Sequence, residues 1–153
     1  MPEAKSEFEK CYQEKGGQLI DVIWIVYTKY GNEGLDPIKK YFYDYGVKMG
    51  KNIRSKVSHD LTNFLPVFGS CFAGASLFTS MEPHIKQKKV IEYRESGCPL
   101  VLMARKQGAR ADVICDVFSE IDRGVADGAG LKLACDKGFS RGKPYDVFRW
   151  EIP

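Results

Sequence analysis

The stretch Gly97–Ile152 reads GCPLVLMARKQGARADVICDVFSEIDRGVADGAGLKLACDKGFSRGKPYDVFRWEI, and its reading decides the fold. Pro99 suits the first position of a helix running to about Gln107, and this makes Cys98 the N-cap. Gly108 ends that helix. Asp112 is placed to cap a second helix to about Asp127, which Gly128-Ala129-Gly130 closes. Leu131, Leu133 and Cys135 then alternate with Lys132 and Ala134 at the period of a strand. Ser140-Arg141-Gly142-Lys143-Pro144 turns the chain, and Tyr145–Ile152 returns as the last strand. Two helices followed by a hairpin is the pattern of helices packed on an antiparallel sheet.

Polar and thiol groups fall in this stretch where a plain domain would carry apolar ones. Cys98 stands at the positive end of a helix dipole, a placement that lowers a thiol pKa and favours thiolate. The competing reading is a packed cysteine. On the second helix Cys115, Ser119 and Asp122 are spaced four and three apart, so they point the same way. They run along the boundary between a buried arc (Ile114, Val117, Phe118, Ile121, Val125) and a wet one (Asp116, Glu120, Arg123, Asp127). A carboxylate edging toward a core is costly without partners, which makes Asp122 either a working group or half of a salt bridge. In the final strand Asp146 has the parity of Phe148, Trp150 and Ile152, so it points into the core layer. A one-residue slip or a bulge would return it to solvent.

Upstream, Thr79–His84 and Lys88–Arg94 read as a hairpin, with Lys89, Ile91 and Tyr93 on one face of the second strand. The N-terminal half reads as helices. Glu3–Tyr30 is helical in two pieces, with Ser6 as N-cap and Glu9 completing a capping box. Gly16-Gly17 weakens its middle. Leu19, Ile20, Ile23, Trp24, Val26 and Tyr27 follow at helical spacing as a core stripe. Asn32-Glu33-Gly34 reads as a turn, and Asp36-Pro37 as the start of a helix to about Val57. Along it Gly46 and Gly50 share a face and admit a close neighbour. Tyr41, Tyr43 and Tyr45 are either pocket or core aromatics. Asp60 caps a short turn through Leu61–Leu65, and the small apolar run Val67–Phe78 suits a helix packed tightly on a sheet, with Cys71 as a small hydrophobe. The expectation is thus one α+β domain over 1–153, helical over 1–78, with the sheet and two inserted helices over 79–153.

At 153 residues, with 44% apolar and 28% charged, the chain has the composition of a soluble globular domain. A net charge of +3 with dispersed Lys and Arg gives no nucleic-acid stripe. The charged start Met1–Lys5 is no signal peptide, and Phe64–Phe78 is too short and broken to span a bilayer. Five cysteines without a C-x-x-C pair argue against a disulfide framework or a zinc ribbon and for a reducing cytoplasm. Two histidines in separate contexts argue against a zinc site or a histidine triad. No cofactor and no metal are expected.

Cys98-Pro99-Leu100, then Phe118-Ser119-Glu120-Ile121-Asp122 with Ala126 and Gly128, then Leu131-Lys132-Leu133, then Gly142-Lys143-Pro144-Tyr145-Asp146-Val147-Phe148-Arg149-Trp150 resemble the L-2-amino-thiazoline-4-carboxylic acid hydrolase family. That family shows a C-P motif before a helix, C-x-x-D within the next, and a final strand reading roughly G-x-x-Y-C-D-F-R-[FYW]. Ser119 and Asp146 stand where the family has cysteine. The resemblance covers the last 55 or so residues and implies a 4-vinyl-reductase-like fold. It also implies a hydrolase that opens a cyclic amidine by adding water to the carbon between nitrogen and sulfur. Cys98, Asp122 and Asp146 are then the candidate catalytic residues, the thiol as nucleophile or the carboxylates as acid and base. Ser119, Cys115 and Tyr145 are the candidate substrate contacts. The alternative is a non-catalytic ligand-binding or sensory module of the 4-vinyl-reductase type; a third reading is a scaffold that dimerises through its N-terminal helices. The expected partners are a small-molecule ligand or substrate and, on the third reading, a second copy; neither nucleic acid nor membrane is expected.

Overall fold

The computed structural model of the chain describes residues 2–71 and 80–153, with side chains from residue 7 on. Four helices are described: α1 (Pro2–Val57), α2 (Phe64–Cys71), α3 (Pro99–Lys106) and α4 (Ala111–Ala129). They pack on one sheet of β1 (Ser80–Lys86), β2 (Val90–Ser96), β3 (Lys132–Asp136) and β4 (Asp146–Glu151). Strand order is β1-β2-β4-β3, and each pairing is antiparallel. The chain is of the α+β class, with α3 and α4 inserted between the strands of the sheet as the sequence pattern requires.

The N-terminal half departs from its sequence reading. α1 is helical throughout except at Gly31, whose φ of 67° and ψ of −157° lie in a region open in practice to glycine alone. The whole change of direction is absorbed in that one residue. Asn32–Gly34 is therefore helical, Asp36 caps nothing, and Pro37 sits inside the helix. Gly16 and Gly17 do not divide the helix. They face α3, where an added Cβ would meet Met103 and Gln107 side chains. The Gln107 amide donates to the Gly17 carbonyl at 3.0 Å and to Asp21 at 2.6 Å. The helix already runs from Pro2, so Ser6 is no N-cap, and its side chain lies outside the described residues. Ile20 and Ile23 are fully buried, whereas Leu19 faces solvent with Val22 and Ile25. Of the run Val67–Phe78, residues 72–78 lie outside the described residues.

Other boundaries shift by a residue or two. Arg110, not Asp112, precedes α4; Asp112 sits in its first turn and pairs with Arg110 at 2.7 Å. Gly130 closes α4 in the left-handed conformation at φ 65°. Asp60 caps the 3-10 turn Leu61–Asn63 by accepting from the Thr62 N–H at 2.9 Å.

Two core clusters hold the layers together. One joins the end of α1, α2, the end of α4 and the inner sheet face, where Tyr93 stacks on Phe148 and the Trp150 indole N–H donates to the Tyr93 hydroxyl at 3.2 Å. The other joins the middle of α1, α3 and the start of α4. The helices α1 and α4 cross through glycines on both sides, Gly46 and Gly50 against Gly124 and Gly128. A Cβ at any of the four would overlap backbone of the opposite helix. No helix among the described residues is long and apolar enough to cross a membrane.

Candidate functional site

A cavity of about 400 Å³ opens at the seam between the two core clusters. The start of α3 contributes Cys98–Val101 to its wall, and α4 contributes Cys115, Phe118, Ser119, Ile121 and Asp122. The sheet contributes Glu95, Asp146 and Phe148, and Lys137 follows β3. Tyr12 and Tyr45 enter from α1, Phe68 and Cys71 from α2. Five residues singled out in the sequence thus line one space: Cys98, Cys115, Ser119, Asp122 and Asp146. Tyr145 does not. Its ring lies under the Arg94 guanidinium, 4.6 Å from the centroid, because strand alternation turns it away from Asp146. Of the cluster Tyr41, Tyr43 and Tyr45, only Tyr45 lines the cavity; Tyr41 is exposed, and Tyr43 donates to Asp127 at 2.5 Å.

Asp146 is inward because β4 pairs with β2 without a shift of register from Glu151 to Asp146. It is 2% exposed. One oxygen accepts from the Phe139 N–H at 2.8 Å. Burial pushes its carboxyl up, and the Phe139 N–H and the Lys137 charge oppose that only in part. Asp122 finds the salt-bridge partner that its position demands: Lys137 Nζ donates to it at 2.7 Å, with both side chains largely buried. The same ammonium sits 4.0 Å from the Phe148 ring centroid. Burial pulls the lysine down, but the Asp122 charge and hydrogen bond together with the Cys135 and Cys115 sulfurs outweigh it, and Lys137 stays protonated.

Glu95 completes the group. It lies directly opposite Asp146 in the β2–β4 pairing, a placement that sets Cβ atoms roughly 5 Å apart. Among the described residues no hydrogen bond or ion pair holds its carboxylate. Burial pushes it up to about 7, the Asp122 and Asp146 charges push the same way, and Lys137 opposes them. Glu95 was legible in principle, since it has the parity of Ile91 and Tyr93, the argument that exposes Asp146. Ending the strand at Arg94 hid it. Lys137 lies one residue beyond β3 and carries no periodic signal; tertiary packing alone buries it.

Of the two readings that the sequence leaves open for Cys98, burial favours the packed thiol. Cys98 does precede Pro99 at the start of α3, but its side chain makes no capping hydrogen bond. Burial pushes the thiol up to about 11, against the pull of the Val101 and Leu100 N–H groups. A helix terminus contributes at most about 2 kcal/mol, less than the desolvation of a sulfur anion in this apolar wall. Cys98 should therefore alkylate slowly at pH 7.5, after the exposed Cys11, with a rate that climbs only above the titration range of a free thiol. Peptide mass spectrometry over a pH series checks this, and early labelling of Cys98 would contradict it.

Ser119 is equally unactivated. Its hydroxyl donates to the Cys115 carbonyl one turn back at 2.6 Å, and the Cys115 sulfur lies 3.8 Å away. Burial raises the Cys115 thiol as well. The chemistry available in the cavity is that of three carboxylates around one ammonium, walled by aromatic rings. Among the described residues no group of His, Cys, Asp and Glu side chains is arranged to hold a metal ion. No protein-family model matches the chain, and no curated protein matches it in sequence.

Proposed function

We propose that the chain is a small-molecule hydrolase of the kind its C-terminal motifs resemble, opening a cyclic amidine through carboxylate-activated water. The observation that carries this reading is the placement of Asp122, Asp146 and Lys137 around one cavity deep enough to enclose a small ring. Asp146 is the base: its fixed oxygen orients it, and its raised pKa makes it a better proton acceptor than an ordinary carboxylate. The Lys137 ammonium stays paired with Asp122 and fixes that carboxylate on the cavity wall. The tetrahedral species then collapses to a urea: the added hydroxyl becomes the carbonyl, the carbon–sulfur bond breaks, and of the two protons of the water one goes to the ring nitrogen and the other to the departing sulfur. Cys98, protonated at neutral pH, forms part of the wall and is not the attacking group.

Ring opening releases a thiol, so turnover is followed with a thiol reagent across a panel of cyclic amidines that includes 2-amino-thiazoline-4-carboxylate. Asp146→Asn is expected to lower the rate by about 10²–10⁴-fold, the usual share of a general base. The second reading, a ligand-binding module without turnover, is favoured by the state of Cys98 and Ser119, neither of which is an activated nucleophile. Binding of panel members without thiol release from any of them would establish it in place of the hydrolase.

A further inference from the structure

We infer that the cavity selects a cation, a planar amidinium held by Glu95 and Asp146, and rejects ligands that carry a carboxylate. This rests on the reading of the cavity as a small-molecule site and deepens it by naming the charge of what binds.

Glu95, Asp122 and Asp146 supply three carboxylates, and Lys137 is the one cationic side chain among the described lining residues. That ammonium is already committed to Asp122 at 2.7 Å and to the Phe148 ring at 4.0 Å. An anionic group entering the cavity would meet no free cation and at least one uncompensated carboxylate. The start of α3 offers an anion at most the Leu100 and Val101 N–H groups, since Pro99 has none.

The second observation is Glu95 itself. Glu95 is a half-buried carboxylate on the cavity wall with no hydrogen bond or ion pair among the described residues, so its charge is open to a ligand in the cavity. It also stands across from Asp146, a like charge on the neighbouring strand. One flat N–C–N cation between the two would satisfy both carboxylates and remove their repulsion, as two parallel charge-assisted hydrogen bonds do. Phe118 and Tyr45 supply aromatic surface on the cavity wall against which such a planar ion can lie.

Calorimetry at pH 7 tests this with named probes. Benzamidine and 2-aminothiazoline are the cations, and 2-amino-thiazoline-4-carboxylate is the acid. The cations are expected to bind at least tenfold more tightly than the acid. Glu95→Gln, checked for folding by its thermal transition, should weaken the cations at least tenfold and leave the acid unchanged or improved. Binding should also release about half a proton, read from heats in two buffers, because Glu95 titrates near pH 7 and the cation ionises it. That last measurement needs no variant.

An acid that binds as tightly as the cations, cation affinity untouched by Glu95→Gln, no proton release, or no binding of either cation at millimolar concentration would each overturn the inference. Turnover is scored separately. Cations that bind without opening leave this inference standing and remove the hydrolase, whereas an opened acid with excluded cations does the reverse.

Discussion

Gly124→Ala is expected to destabilise the fold by at least about 3 kcal/mol, the upper range for overpacking, although alanine is the better helix former by about 1 kcal/mol. The new Cβ would overlap the Tyr43 carbonyl oxygen and come within 2.9 Å of the Val47 nitrogen and 3.0 Å of the Gly46 Cα. All three are backbone atoms, so no rotamer change relieves the contact. Separation of the helices is the only relief, and it would pull α4 away from both core clusters and open the cavity wall that carries Cys115, Ser119 and Asp122. For a chain of this size the loss corresponds to a fall in Tm of about 6–12 °C. Gly16→Ala is the control. Its Cβ would meet the flexible tip of Met103 at 3.0 Å, so the propensity gain should survive and stability should hold or rise. Urea denaturation of both variants decides; a Gly124→Ala protein as stable as its parent would mean that the helices do not cross this closely.

Lys137→Met should produce the second large effect, a loss of about 3–5 kcal/mol above neutral pH, since removal of one partner from a buried pair strands the other. Asp122 would lose its counter-ion, and Glu95 and Asp146 would lose the one charge that opposes their upward shift. The pH dependence distinguishes this from lost packing. A carboxyl whose pKa is higher folded than unfolded takes up a proton on folding, so the folded state gains as pH falls through that window. In the parent, Glu95 places the window between about 4.5 and about 7, and stability declines across it as pH rises. The variant removes the charge that opposes the upward shifts of Glu95 and Asp146, steepens the decline and recovers much of its loss at pH 5. Urea midpoints at pH 5 and pH 8 measure it. A deficit equal at both values would assign Lys137 to packing rather than to charge.

Asp122 and Asp146 were legible because helical and strand periods assign a direction to every side chain. A carboxylate whose direction is inward needs a partner, and the sequence announces that need without naming the partner. Lys137 is the partner of Asp122, fifteen residues on and outside any regular element, so no periodicity reaches it. Cys98 stood open in the sequence between thiolate and packed thiol. Its position at a helix start was correctly read from Pro99, yet its protonation depends on how much apolar wall surrounds the sulfur, and the dipole argument is silent about that. The turn expected at Asn32–Gly34 failed because Gly31 alone absorbs the change of direction.

The sequence by itself determined the class of the fold, the Pro99 helix start and the inward parity of Asp146, because these follow from local sterics and from repeats of 3.6 and 2 residues. It also marked Gly46 and Gly50 as a close-approach face. Only the tertiary structure decided that Gly124 and Gly128 answer them, that Glu95 stands opposite Asp146, and that Lys137 is the lone cation among their described neighbours in the cavity. Charge state and partnership inside a protein depend on dielectric surroundings and on distances between residues far apart in the chain, and neither quantity is local.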